Sequence, residues 1–193
     1  QTHMHTKRSR LSERALWQLL EDYKVFGRPI HLTEISVPSS PPFENWTDFK
    51  PHVHALRTAR PREKRKEIAR KSEDYLELYQ ANYLKDFYTL AFSHPNVGSM
   101  IYWSGSDLYE WRGTAAGLLD RKFNPKPAYY VLKDLIKKQW NTEIVKSTNL
   151  QGKYSFFGFY GEYSGKTTVN GIEQSFSFNH VPGQMNTHVV KLN

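Results

Sequence analysis

Glu34 ends the stretch Pro29-Ile30-His31-Leu32-Thr33-Glu34, which continues as Ile35-Ser36-Val37 and is otherwise rich in aliphatic and β-branched residues. A carboxylate there is costly to desolvate unless it is paired or opens into a cleft, so Glu34 is a candidate for acid–base or nucleophilic work. An ion-paired structural glutamate fits the same position. A second constellation, Tyr102-Trp103-Ser104-Gly105-Ser106-Asp107 followed by Glu110-Trp111-Arg112-Gly113, places two tryptophans and a charged pair in one loop. Indoles offer a flat apolar platform to the C–H face of a pyranose, while carboxylate and guanidinium groups bond its hydroxyls, the mixed lining of a small-molecule site. Core tryptophans fit those residues as well. His3, His5, His31, His52 and His54 raise the question of a metal. Without a His-Glu-x-x-His pattern or a cysteine, hydrogen-bonding or solvated histidines are the better account, and no metal or other cofactor is expected.

These residues must be held by regular elements. Ser12 can cap a helix in which Leu16, Leu19, Leu20 and Tyr23 recur at helical spacing, with Gly27 as its stop. A strand follows, ends near Glu34 and is closed by Pro38-Ser39-Ser40-Pro41-Pro42. The stretch from Phe43 to Thr58 has prolines, aromatics and histidines without sustained periodicity and reads as a long excursion over the surface or a cleft. A long helix comes next, its second half presenting Leu76, Tyr79, Tyr83, Leu84, Phe87, Tyr88 and Ala91, and it breaks before Pro95. Val97 to Trp103 reads as another buried strand, and Pro127 opens a helix carrying Ala128, Val131, Leu132, Leu135 and Ile136 that ends near Trp140. Helix, strand, helix, strand, helix is the order of a parallel α/β sheet covered by helices. The region is too short for a closed eight-stranded barrel, which takes about 250 residues.

The tail changes character. Short strand-like runs, at Phe156 to Tyr163, Thr167 to Val169, Phe176 to Phe178 and Val189 to Leu192, are separated by glycine-containing turns, with Asn170-Gly171 a strong hairpin signal. The expected organisation is therefore an α/β portion over 1–140 and a small antiparallel β appendage over 141–193.

The composition of the 193 residues, 38% hydrophobic and 15% aromatic, supports a packed core and argues against disorder. The net charge of +8 owes much to the run from Arg57 to Lys71, where Glu63 and Glu67 are interleaved among the basic residues; this reads as a solvated helix face. The absence of cysteine excludes disulfides, thiolate metal sites and a cysteine nucleophile. No window approaches the roughly 18 apolar residues of a membrane span, so no membrane partner is expected. Gln1-Thr2-His3-Met4-His5 reads like the end of an element whose start lies elsewhere, and truncation is expected.

Several of these segments together resemble one family. Gln1-Thr2-His3, Ile30-His31-Leu32-Thr33-Glu34-Ile35, Phe92-Ser93-His94-Pro95-Asn96-Val97, Tyr102-Trp103 and Asp107-Leu108-Tyr109-Glu110-Trp111-Arg112-Gly113 occur in the order and spacing of glycoside hydrolase family 10 xylanases. Ala116-Gly117-Leu118-Leu119-Asp120 and Phe123-Asn124-Pro125-Lys126-Pro127-Ala128-Tyr129-Tyr130 resemble the family's closing segment. The resemblance implies a partial TIM (β/α)8 barrel, about strands six to eight with their helices. It also implies that Glu34 is the nucleophile of a retaining endo-β-1,4-xylanase, oriented by His3, with Gln1, Trp103, Trp111 and Arg112 as substrate-binding residues. Xylan or xylo-oligosaccharide would be the substrate, and hydrolysis would proceed by double displacement.

Two departures stand against the pattern. Ser36 occupies the place of an aspartate usual two residues after the nucleophile, and the acid/base glutamate would lie, by analogy, before Gln1. This chain alone is therefore expected to be inactive and to need the missing N-terminal part of the barrel. A secreted or periplasmic setting follows only from the polymeric substrate. The stretch from Pro38 to about Ser72 is longer than the resemblance leads one to expect, and Phe43, Trp46 and Phe49 could extend a substrate cleft. A non-catalytic carbohydrate-binding module is the alternative. A nucleic-acid partner, suggested only by charge, finds no groove-reading motif and is not expected.

Overall fold

The architecture comes from a computed structural model, which describes residues 1–60, 62–183 and 187–189. Val190 and Leu192, expected in the last strand-like run, lie outside the described residues. Packing divides the chain into two units, Gln1–Leu135 and Ile136–Asn193.

In the first unit the elements run α1 (Glu13–Lys24), β1 (Ile30–Ile35), α2 (Trp46–Thr58), α3 (Arg62–Ile68), α4 (Asp74–Ser93), β2 (Val97–Tyr102) and α5 (Pro127–Asp134). The Ser12 hydroxyl accepts from Ala15 N at 3.2 Å and starts α1 as its sequence predicts. The helix turns a narrower face inward than its periodicity suggested: Leu16 and Leu20 are buried, whereas Leu19 and Tyr23 are exposed. On α4, Leu76, Ala81, Leu84, Phe87, Tyr88 and Ala91 are buried as a helical stripe, and buried Gln80 lies among them. At the far end of α4, His94 is buried, with Nε2 3.2 Å from Glu21 Oε1 and its ring edge-on to Trp17, so it ties α4 to α1.

β1 and β2 pair in parallel, with Ile30 opposite Val97, His31 opposite Ser99, Leu32 opposite Met100 and Ile35 opposite Tyr102. Gly98 falls at the first irregularity of this register, where a Cβ would stand 3.2 Å from Pro29 Cβ and 3.4 Å from the His31 ring. The second irregularity lies between Leu32 and Ile35, where β1 carries one residue more than β2 and bulges at Thr33-Glu34. The first residues form no regular strand, but they run beside β1. Thr2 N donates to Thr33 O at 2.8 Å, Met4 N donates to Ser36 O at 2.9 Å, and His3 and Thr6 make parallel bridges to Ser36 and Phe43. Parallel strands covered by helices are the layering of a partial α/β barrel.

Three expected element boundaries are corrected. The stretch read as an irregular excursion contains α2, whose N-cap Asn45 accepts from Thr47 N at 2.8 Å and Asp48 N at 3.1 Å. Phe49 and Leu56, seven residues apart, form its buried face, while Pro51 inside the helix disguises the pattern because it lacks an amide donor. The single long helix that was expected next is broken into α3 and α4, and Glu73 N donates to Ser39 O at 3.0 Å between them. The last α-helix is also shorter than expected: α5 gives way to a π-helical turn at Leu135–Gln139.

The second unit is built on one hairpin, β3 (Gly161–Val169) and β4 (Ile172–His180), antiparallel from Gly161 opposite His180 to Val169 opposite Ile172. Asn170 and Gly171 take φ of 52° and 80°, the left-handed geometry of a tight two-residue hairpin turn. One face carries Tyr163, Gly165, Phe176, Phe178 and His180 half-buried, with the Tyr163 and Phe178 rings stacked 5.1 Å apart. Phe156, Phe157 and Phe159 belong to no strand, contrary to the expectation for that run: Gly158 interrupts it, and the ladder begins only at Gly161.

Replacing Ser12 with Ala should cost about 1 kcal/mol of stability, because the first turn of α1 loses its side-chain acceptor. Urea unfolding of the full chain followed by circular dichroism checks this, and an unchanged midpoint would show that the cap contributes nothing.

Candidate active site

The bulge in β1 sets the site. Glu34 has φ of 56°, a left-handed conformation that costs a side-chain-bearing residue energy and is found where surrounding contacts over-determine it. Those contacts come from the segment beside β1. His3 Nε2 lies 2.7 Å from Glu34 Oε2, and Gln1 Nε2 donates to Glu34 Oε1 at 2.9 Å, so each carboxylate oxygen faces its own N–H donor. The pair is sheltered without being sealed, with the His3 side chain 6% exposed and that of Glu34 24%. Burial and the Arg112 cation push the His3 imidazole below its ordinary value, against the upward pull of Glu34.

Behind this pair lies a second histidine, His5. His3 Nδ1 is 2.7 Å from Ser36 Oγ, and the same hydroxyl is 2.8 Å from His5 Nε2. His5 Nδ1 in turn is 2.7 Å from Thr114 Oγ1. His5 is buried, and burial, followed by Arg112, holds its imidazole well below the ordinary range. Spacing alone leaves His5 among the hydrogen-bonding or solvated histidines and does not name its partners.

Trp103 follows β2 directly, is half exposed, and stands edge-on to His3 with ring centroids 6.5 Å apart. Trp111 has two cations near its ring, Arg112 at 4.4 Å and Arg57 at 5.4 Å from its centroid. Beside it runs a groove of about 360 Å3 lined by Leu56, Arg65, Lys66, Tyr109, Trp111 and Arg121. Arg112 is buried, also lies over Phe49, and its backbone oxygen is 3.0 Å from His52 Nε2. Phe49, considered as a cleft extension, is itself buried and backs His5 at 5.6 Å, whereas Trp46 packs on Phe49 and remains partly exposed.

The loop's two carboxylates serve the scaffold rather than an open sugar platform. Asp107 pairs with Lys126 at 3.2 Å, both side chains being nearly inaccessible, and accepts from Gly117 N at 2.7 Å. Lys126 also donates to Ser39 Oγ at 2.8 Å and Ala115 O at 3.1 Å, so one ammonium joins the loops after β1 and β2. Glu110 accepts from Thr114 N at 2.9 Å, and burial raises its carboxyl above the usual range. Gln80 of α4 completes the scaffold by donating to Val37 O at 2.7 Å.

This parallel α/β arc, with a carboxylate at a strand end and tryptophans in the following loop, has counterparts among known proteins. Residues 1–135 match the model of Glycosyl hydrolase family 10, and the chain belongs to that family. The anti-sigma-I factor RsgI6 of Acetivibrio thermocellus is 33% identical over 95 residues, which make up 49% of this chain and 12% of that protein. Xylanase 10B of Thermotoga petrophila, crystallised with xylobiose, is 24% identical with a TM-score of 0.48, over 70% of this chain and 35% of the xylanase. Native xylanase 10B of Thermotoga maritima is 22% identical with the same score and coverage. The chain thus spans about an eighth of RsgI6 and about a third of each xylanase, and its family membership rests on the match over residues 1–135.

Lys126→Met should destabilise the first unit by about 3–5 kcal/mol at neutral pH, because it leaves Asp107 charged, buried and unpaired. Burial already raises the Asp107 carboxyl above its ordinary 3.8, so its protonated form is favoured by folding, an effect full below 3.8 and lost as pH rises through the folded value. Without Lys126 that folded value climbs further, and the deficit of the variant relative to the parent chain should shrink on acidification toward pH 4. Urea midpoints for both chains across that range check the sign; a deficit independent of pH would contradict it.

Proposed function

We propose that Glu34 is the nucleophile of a retaining endo-β-1,4-xylanase whose acid/base carboxylate comes from sequence outside this chain. The observation that carries the reading is the grip on Glu34: two N–H donors, one on each oxygen, fix a carboxylate at a costly backbone conformation in a member of glycosyl hydrolase family 10. In the first step a Glu34 oxygen bonds to the anomeric carbon, the glycosidic C–O bond breaks, and the external acid gives its proton to the departing oxygen. In the second, water attacks that carbon, its proton goes to the same external group, and the carboxylate of Glu34 leaves. Trp103 and Trp111 supply stacking faces for the sugar rings, and Gln1 and Arg112 are further substrate-binding groups. Xylan as substrate follows from the resemblance of the motifs, and a secreted or periplasmic setting from the size of such a polymer.

A retaining pair stands about 5–5.5 Å apart, and both members must reach the scissile bond. The loop carboxylates are committed elsewhere, Asp107 to Lys126 and Glu110 to Thr114. On this reading the rest of the barrel completes the site, and this chain alone should release no reducing ends from xylan.

The polypeptide that joins this chain to the remaining strands should hydrolyse xylo-oligosaccharides, and Glu34→Gln within it should lower kcat by a factor on the order of 10⁴ or more while binding persists. Reducing-end release and calorimetric binding measure the two quantities. Binding without hydrolysis in the unmutated polypeptide would instead favour a non-catalytic carbohydrate-binding module.

A further inference from the structure

Glu34, His3, Ser36, His5 and Thr114 form an unbroken line of short contacts, of 2.7, 2.7, 2.8 and 2.7 Å in that order. The direction of each bond follows from counting hydrogens. An ionised carboxylate only accepts, so His3 Nε2 must carry a hydrogen and donate it to Glu34. If His3 is neutral, its Nδ1 is bare and takes the hydrogen of the Ser36 hydroxyl. That hydroxyl has no second hydrogen, so its oxygen accepts from His5 Nε2–H. A neutral His5 is then bare at Nδ1 and accepts from the Thr114 hydroxyl. Every donor in the line points toward Glu34, and every hydrogen in it is used once.

The opposite direction needs an imidazolium at His3. Ser36 would then donate to His5 Nε2, His5 would donate from Nδ1 to Thr114, and Thr114 would have to find Glu110 Oε2 at 3.3 Å. That final contact is the longest of the series, which disfavours the reversed line. The surroundings disfavour it too. His3 faces Arg112 and Glu34, His5 faces Arg112, Arg10 and His3, and burial opposes charge on both rings.

We propose that His5 is a positioning residue: acting through Ser36, it holds His3 as the neutral Nε2–H tautomer, so that Glu34 is oriented by a dipole instead of by a cation. Ser36 is essential to this arrangement. An aspartate in its place would accept from His3 Nδ1 and call for hydrogens on both ring nitrogens, whereas the serine hydroxyl supplies a hydrogen and passes the demand for a donor to His5. The proposal rests on Glu34 being the nucleophile, but its test does not.

The test is nitrogen NMR of the ring-labelled full chain, with the joined polypeptide in parallel. At neutral pH both His3 and His5 should show a protonated Nε2 and a bare Nδ1, and both should titrate below 6.5. Removing the donor with His5→Leu frees Ser36 to accept from His3 Nδ1–H, so the His3 midpoint should rise by about one pH unit, tenfold in proton affinity. His5→Gln, which restores an N–H at the Nε2 position, should bring it back, and Ser36→Asp should raise it in a His5-independent way. Amide spectra report whether each variant is folded, and Ser36→Asp keeps the test open should His5→Leu fail to fold. A doubly protonated His3 at neutral pH, an Nδ1–H tautomer at His5, or a folded His5→Leu chain with an unmoved His3 midpoint would overturn the proposal. Failure of the nucleophile reading would show separately, as hydrolysis that survives Glu34→Gln with both tautomers unchanged.

Discussion

The 2.7 Å contact between His3 and Glu34 joins two stretches of chain that run side by side in parallel, Thr2 N donating to Thr33 O and Met4 N to Ser36 O. β1 alone would run straight and carry its side chains alternately to either face. It bulges instead at Thr33-Glu34, and the left-handed backbone at Glu34 persists because His3 and Gln1 hold its carboxylate from the neighbouring segment. The energy stored in one residue's backbone is thus balanced by two directional hydrogen bonds, and the result is a carboxylate with little freedom to turn. That is the property a nucleophile needs, since misplacement of even 1 Å is costly to reactivity.

The rest of the first unit keeps these two segments in place through buried polar contacts. Lys126, at the start of α5, reaches Asp107, Ser39 and Ala115, so the loops after β1 and β2 share one cation. Gln80 ties α4 to Val37, two residues beyond the end of β1, and the Tyr102 hydroxyl donates to Ala116 O at 2.7 Å. The long connection after β1 also contributes inward: Phe49 of α2 lies against both His5 and Arg112, so part of what reads as a surface insertion is a wall of the histidine line. Arg112 then links that wall to Trp111.

Much of this was legible in the sequence. Ser12 and Pro127 mark helix starts by local chemistry, β1 and β2 announce themselves by aliphatic content, and Asn170-Gly171 leaves the hairpin few alternatives. Glu34 stood out as a carboxylate where charge is expensive. What escaped was decided by distant contacts. Pro51 masked the helical spacing of Phe49 and Leu56, and the break between α3 and α4 depends on Glu73 bonding back to Ser39. The partners of Asp107 and Glu110, Lys126 and Thr114, lie 19 and 4 positions away and are not marked by any motif. His5 was visible as a histidine two residues from His3, but its partners, Ser36 and Thr114, lie 31 and 109 residues along the chain, beyond what spacing can reveal.

A carboxylate gripped in this way is a nucleophile only if it forms a bond. An activated 2-fluoro-xylobioside, whose fluorine slows the second displacement more than the first, should leave a covalent sugar on the joined polypeptide, and peptide mass spectrometry should place it on Glu34. Stoichiometric labelling at Glu34, lost in Glu34→Gln, is the expected result. Labelling at another carboxylate, or turnover with no covalent species, would contradict the account.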